Sequence, residues 1–114
     1  MKLIVAIVRP FKVTDIVDGI LGDAEFPGMT VVDCRGFGRE KTAPHRRVPQ
    51  EELTDFVDQV ALLVAAPDGM VEDVVHRIET LARTGRGGDG KVFVLPLAEA
   101  VRIATGARGD KALE

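Results

Sequence analysis

The chain has 114 residues, 46% of them hydrophobic, with a formal net charge of −3, one Cys, no Trp and no Tyr. That length and apolar content predict one domain with a modest core, while no apolar run approaches the ~20 residues a membrane-spanning helix needs. The negative balance and the lack of Trp and Tyr argue against a general nucleic-acid binder, and the lone Cys34 excludes an internal disulfide and fits a reducing cytoplasm.

Residues 1–8 form an almost unbroken apolar run of strand formers, ended by Pro10. Arg9 and Lys12 close the run too early for a signal peptide, and no small-residue cleavage site follows. From Val13 to Leu21, apolar residues at 13, 16, 17, 20 and 21 make a helical stripe, with Gly22 and Asp23 after it. Pro27-Gly28 reads as a turn, and Met29 to Arg35 as a second strand running into Gly36-Phe37-Gly38-Arg39. Apolar periodicity is then absent from Glu40 to about Asp55, which predicts a long exposed loop, basic at Arg46-Arg47 and acidic at Glu51-Glu52. Phe56 to Ala66 returns to strand character. Asp68 is placed to cap the helix that follows, and Met70 to Thr84 carries the clearest apolar stripe of the chain. Lys91 to Leu97 reads as the fourth strand, Ala98 to Ile103 as a turn with a small strand, and 105–114 as a flexible tail.

Between the second helix and the fourth strand lies Thr84-Gly-Arg-Gly-Gly-Asp-Gly-Lys91. This density of glycine suits neither helix nor strand and predicts a loop. Inward-turned amides beside Arg86 and Lys91 would cradle a phosphate. The spacing from Gly85 to Lys91 matches G-x-x-x-x-G-K, but Val92 replaces the magnesium-holding Ser or Thr, and the lysine opens a strand instead of a helix. Spacing alone therefore leaves two readings open: a phosphate loop, or a tight connection whose glycines serve geometry. The order strand–helix–strand, long loop, strand–helix–strand predicts an α+β, ferredoxin-like double βαβ with a four-stranded antiparallel sheet and helices on one face. The other face needs cover, which a small domain finds in an oligomer.

The glycine loop with its following strand resembles the C-terminal signature of the PII signal-transduction proteins. Ile7-Val8-Arg9-Pro10-Phe11-Lys12, Gly28-Met29-Thr30, Arg35-Gly36-Phe37-Gly38-Arg39, Val101-Arg102-Ile103 and Thr105-Gly106 fit the same family in the same order. The resemblance spans nearly the whole chain, 1–114 as one PII-like domain. It implies a homotrimer with an adenine nucleotide (ADP, AMP or ATP) in each cleft between subunits, magnesium as an optional companion, and a loop, the family's T-loop, that docks on a transporter or metabolic enzyme. Carried over, Gly88, Asp89, Gly90 and Lys91 would cradle phosphate with Arg39 and Arg102 as clamps. Ile7, Thr30, Gly36, Phe37, Gly38 and Val64 would line the base and sugar. The docking loop, 40–55, would present Glu40, Lys41, His45, Arg46, Arg47, Glu51 and Glu52. No metal-ligand set, nucleic-acid partner or membrane insertion is implied.

Departures from the family pattern are equally specific. Its second arginine, two residues after the first, is Ala104 here. The glutamine that helps coordinate magnesium and 2-oxoglutarate is Glu40, the lysine that pairs with 2-oxoglutarate is Gln59, and the loop tyrosine that is uridylylated is Glu52. Together these imply a divergent nucleotide-responsive regulator without uridylylation or strong 2-oxoglutarate sensing. A sensor of another small ligand, such as bicarbonate or cyclic AMP, is the alternative, with slow ATP hydrolysis as the reading from another class. Catalytic candidates are weak: His76 falls within the helix stripe, Cys34 within a strand, and Asp89 suits a turn aspartate bonded to backbone.

Overall fold

The computed structural model describes residues 1–37 and 56–114. Gly38, Arg39 and the whole expected docking loop, 40–55, lie outside the described residues. Four strands, β1 (Lys2–Val8), β2 (Thr30–Gly36), β3 (Val57–Ala66) and β4 (Lys91–Pro96), form one sheet in the order β2-β3-β1-β4. All three pairings are antiparallel. The helices are α1 (Val13–Ile20) and α2 (Val71–Ala82). This is the ferredoxin-like α+β architecture, with its element order as the residue pattern predicts.

The ladder sorts residues onto two faces, because successive side chains alternate across a pleated strand. Ile4, Ala6 and Val8 of β1 and Val60, Leu62, Val64 and Ala66 of β3 are buried together with Ile16 of α1 and Val71, Val74, Ile78 and Ala82 of α2. Removing a Leu62 or Ile78 side chain from water contributes about 1.5–3 kcal/mol each, so this helix-covered face is where the chain secures its fold. The opposite face carries Leu3, Val5, Ile7, Ala61, Leu63 and Ala65, flanked by Val32 on β2 and by Lys91, Phe93 and Leu95 on β4. Among the described residues, the segment Gly109–Leu113 lies against part of it, at β3, and no helix covers it as the two helices cover the first. Phe93 and Leu95 are 48% and 43% exposed.

Three local expectations are corrected. Asp68 makes no side-chain capping bond to α2; its carboxylate accepts from Lys2 Nζ at 3.1 Å, tying the start of β1 to the turn after β3. The second helix stops at Ala82, two residues short of Thr84, because Arg83 is already extended (φ −70°, ψ 131°). The segment expected as a flexible tail carries local structure: Val101 pairs with Arg108 in an antiparallel bridge, and Gly109–Leu113 form a 3-10 turn. That bridge is all that stands for the small strand expected before Ile103.

Candidate functional site

The glycine loop is built around one carboxylate. Asp89 Oδ2 accepts from the amides of Thr84 (2.8 Å) and Gly85 (2.9 Å), while Oδ1 accepts from Arg9 Nε (2.9 Å) and from the Thr84 hydroxyl. Arg9 Nη2 also donates to the Gly87 carbonyl at 2.6 Å. The Thr84 hydroxyl first, then Arg9 and the Thr84 amide, hold the Asp89 carboxyl well below the usual carboxylate range. Asp89 is therefore a fixed anion facing into the loop, and its oxygens organise the loop's backbone. Among the described residues, the amides of Gly87 and Gly88 donate to no protein acceptor, an arrangement that leaves N–H groups for an anion.

Gly90 fixes how closely this loop lies on β1. A Cβ at position 90 would sit 1.7 Å from the Ile7 carbonyl oxygen, and its φ of +99° is one that side-chain-bearing residues avoid. The next residue, Lys91, pairs with Ile7 across the β1–β4 ladder. Directly opposite residues share a face, so the Lys91 side chain and Ile7 lie together on the face away from the helices. Ile7, Gly88, Asp89, Gly90 and Lys91 are thus brought together at one end of the β1–β4 edge.

Gly36 and Phe37 lie at the same end of the sheet but on the other edge. Gly36 pairs with Val57, and a Cβ there would come 1.8 Å from Gln59 Oε1. Phe37 stacks on Phe56, ring centroids 5.7 Å apart and planes tilted by 50°, with the Arg35 guanidinium 6.0 Å from the Phe56 centroid. Two strands separate β2 from β4. At ~4.8 Å per strand spacing, the two edges are ~14 Å apart.

Thr30 and Arg102 occupy a third place. They line one groove, with Leu3, Leu63 and Ala65, at the opposite end of the uncovered face. Leu113 also lines it, and Arg102 Nη2 donates to the main-chain oxygen of Glu114. From the Ile7–Lys91 pair to the Leu3–Leu95 pair is four residues, or ~13 Å along the strand. Within one chain the glycine loop, the Phe37 edge and the Arg102 groove do not meet.

The Val64 side chain is fully buried in the helix-facing core, which leaves only its main chain to face a ligand. The residue whose side chain reaches the groove is the next one, Ala65. Sequence reasoning also passed over Arg9 and Thr84 as loop organisers. The available signal was a cation two residues after Ile7, which becomes informative only once β1 is known to pair with β4. Among the described residues, no cluster of three or more His, Cys, Asp or Glu could hold a metal ion; His45, Glu40, Glu51 and Glu52 lie outside them. Cys34 is half-buried on β2, and His76 is exposed on α2. Among the described residues, no helix is long and apolar enough to cross a membrane.

The chain is similar to known proteins over nearly its whole length. The family model described as nitrogen regulatory protein P-II matches residues 1–107. The chain is 40% identical over 113 residues to the nitrogen regulatory protein P-II of Azospirillum brasilense, covering 99% of this chain and 100% of that one. Similarity to nitrogen regulatory protein P-II 1 of Escherichia coli is 39% over the same span. Among solved structures, Arabidopsis thaliana PII bound to citrate superposes with a TM-score of 0.77 at 37% identity, over 97% of this chain and 90% of that one. The relatives are named as regulators and not as enzymes, in keeping with an Asp89 whose oxygens are taken up by the loop itself. By this sequence match and this shared architecture, the chain belongs to the P-II family of regulatory signalling proteins.

Proposed function

We propose that the protein is a homotrimeric regulator that binds an adenine nucleotide (ADP, AMP or ATP) in clefts between its chains and controls a transporter or metabolic enzyme in the cytoplasm through residues 40–55. The observation that carries this reading is the division of the candidate residues between opposite edges and ends of one sheet. Phosphates held by both Lys91 and Arg102 need those groups from different chains, since within one chain the Ile7–Lys91 pair and the Leu3 groove that Arg102 lines are ~13 Å apart, too far for one phosphate group to touch both. The apolar face of Val5, Phe93 and Leu95 supplies the surface for that assembly.

In this reading Gly87, Gly88 and Lys91 meet the phosphates, with Arg39 and Arg102 as further cations. Thr30, Ala65, the Val64 main chain, Gly36, Phe37 and Gly38 surround the sugar and base. Magnesium, where it takes part, would meet Glu40 beside the phosphates, since carboxylate oxygen suits that ion. Ala104 leaves the site one guanidinium short, which favours ADP or AMP over ATP. Gln59 and Glu40 disfavour a dicarboxylate effector beside the nucleotide, because neither supplies positive charge. The absence of tyrosine removes uridylylation as a control. The citrate on the Arabidopsis protein is support for small anionic ligands in this family in general terms. Occupancy of the cleft would bias residues 40–55 between partner-binding and partner-free arrangements, with Arg39 and Glu40 as the coupling residues.

Calorimetric titration with ADP, ATP and AMP tests the reading. Binding of at least one, tightest for ADP or AMP and weakened on the order of tenfold or more by Lys91→Ala, is the expected result. No heat from any of the three at millimolar concentration would sink it.

A further inference from the structure

We propose that the segment Gly109–Leu113, with Glu114, is an autoinhibitory strap: it fills part of the Thr30–Ala65 groove and holds the Arg102 guanidinium in place of an anionic ligand. The chain turns back on itself to do this. Arg102 N donates to Ala107 O at 2.9 Å, Gly106 N to Arg102 O at 2.8 Å, and Gly109 N to Ala100 O at 3.0 Å. That hairpin returns the 3-10 turn against β3, where Ala112 and Leu113 form one wall of the groove that Leu63 and Ala65 also line. The Arg102 Nη2 group then donates to the main-chain oxygen of Glu114. The same side chain cannot make this bond and clamp a ligand with the same N–H.

Two features make the strap a placeholder and not a permanent part of the fold. First, its attachments are exposed polar contacts. Glu99 Oε1 accepts from Gly109 N at 3.1 Å, and Arg108 Nη1 lies 3.7 Å from Glu99 Oε2. None of its residues is buried, so local opening costs far less than global unfolding. Second, the strap engages Arg102 through a single N–H on a single main-chain oxygen. A phosphate or carboxylate group can take two parallel N–H bonds from one guanidinium, a stronger and more specific arrangement. An anion therefore displaces the strap, at an affinity reduced by the fraction of time the strap is closed.

The proposal rests on the reading that Arg102 serves a nucleotide, and its test separates the two. ADP is titrated into the full chain, into a chain stopped after Arg108, and into full-length Leu113→Ser, which loosens the strap without shortening it. Both altered proteins should bind ADP about tenfold more tightly; affinities equal to that of the full chain overturn the strap. In parallel, amide exchange is followed without ligand. Arg102→Gln should speed exchange at 109–114 several-fold while the β1 and β3 amides stay protected. Unchanged exchange there overturns the strap whatever the titration gives. Absence of ADP binding in all three proteins defeats the nucleotide reading, and the exchange result then decides the strap by itself.

Discussion

Gly90 and Asp89 show how single residues set the geometry of the loop. Alanine at 90 would have to fit a methyl group 1.7 Å from the Ile7 carbonyl oxygen at a φ of +99°. The Gly90→Ala protein should lose at least about 2 kcal/mol of stability, read as a lower urea midpoint, because the β1–β4 edge must separate to admit the methyl. Asp89 is sensitive in another way. Its folded carboxyl is held below its ordinary value by Thr84 and Arg9, so its contribution is fully present above the unfolded value of about 4. It is lost as pH falls through the folded value. The stability advantage of the natural protein over Asp89→Asn should accordingly be constant from neutral pH to about 5 and shrink on acidification below about 4. Thermal melts of both proteins across that range check it. An advantage that grew with acidification would contradict the Arg9–Asp89 arrangement.

At the scale of the element, the ladder decides what each strand residue can do. Val64 and Ala65 are neighbours of similar chemistry in an apolar strand, and the alternation of the pleat sends one to the core and the other to the groove. Val64→Thr, which buries a hydroxyl among aliphatic side chains, should cost about 1–3 kcal/mol with ligand affinity little changed. Ala65→Leu should do the reverse. Its unfolding midpoint should move within about 0.5 kcal/mol, while the affinity for nucleotide falls because the groove is filled. Paired denaturation and binding measurements on the two variants separate these outcomes. Val64→Thr weakening the ligand more than Ala65→Leu would reverse the assignment of faces.

At the scale of the whole molecule, the uncovered face and the divided site express one constraint. Among the described residues, a sheet with helices on one side leaves Phe93 and Leu95, beside Val5, exposed on the other. The same sheet holds Lys91 and Thr30 apart. An aspartate at Phe93 places an unpaired charge where association would strip it of water. Phe93→Asp should reduce the mass seen by light scattering from three chains to one and abolish nucleotide binding, with secondary structure retained. Binding retained by a monomer would show that the cleft does not need a neighbour.

Much of the architecture was legible in the residues because local periodicity carries it. The stripe at 13, 16, 17, 20 and 21, the run before Pro10 and the glycine density at 85–90 each name their element without reference to the rest of the chain. The sequence by itself therefore determined the element order, the ferredoxin-like plan, the family and the place of the glycine loop. Register, pairing and long-range contact were beyond it, since each depends on residues far apart in the chain. Only the tertiary structure decided that Ala65 and not Val64 faces the groove, and that Arg9 fastens the glycine loop through Asp89. It also decided that Asp68 serves Lys2 instead of a helix cap, and that 109–114 folds back onto Arg102. Periodicity says that a strand has two faces; the partner strands say which face is which.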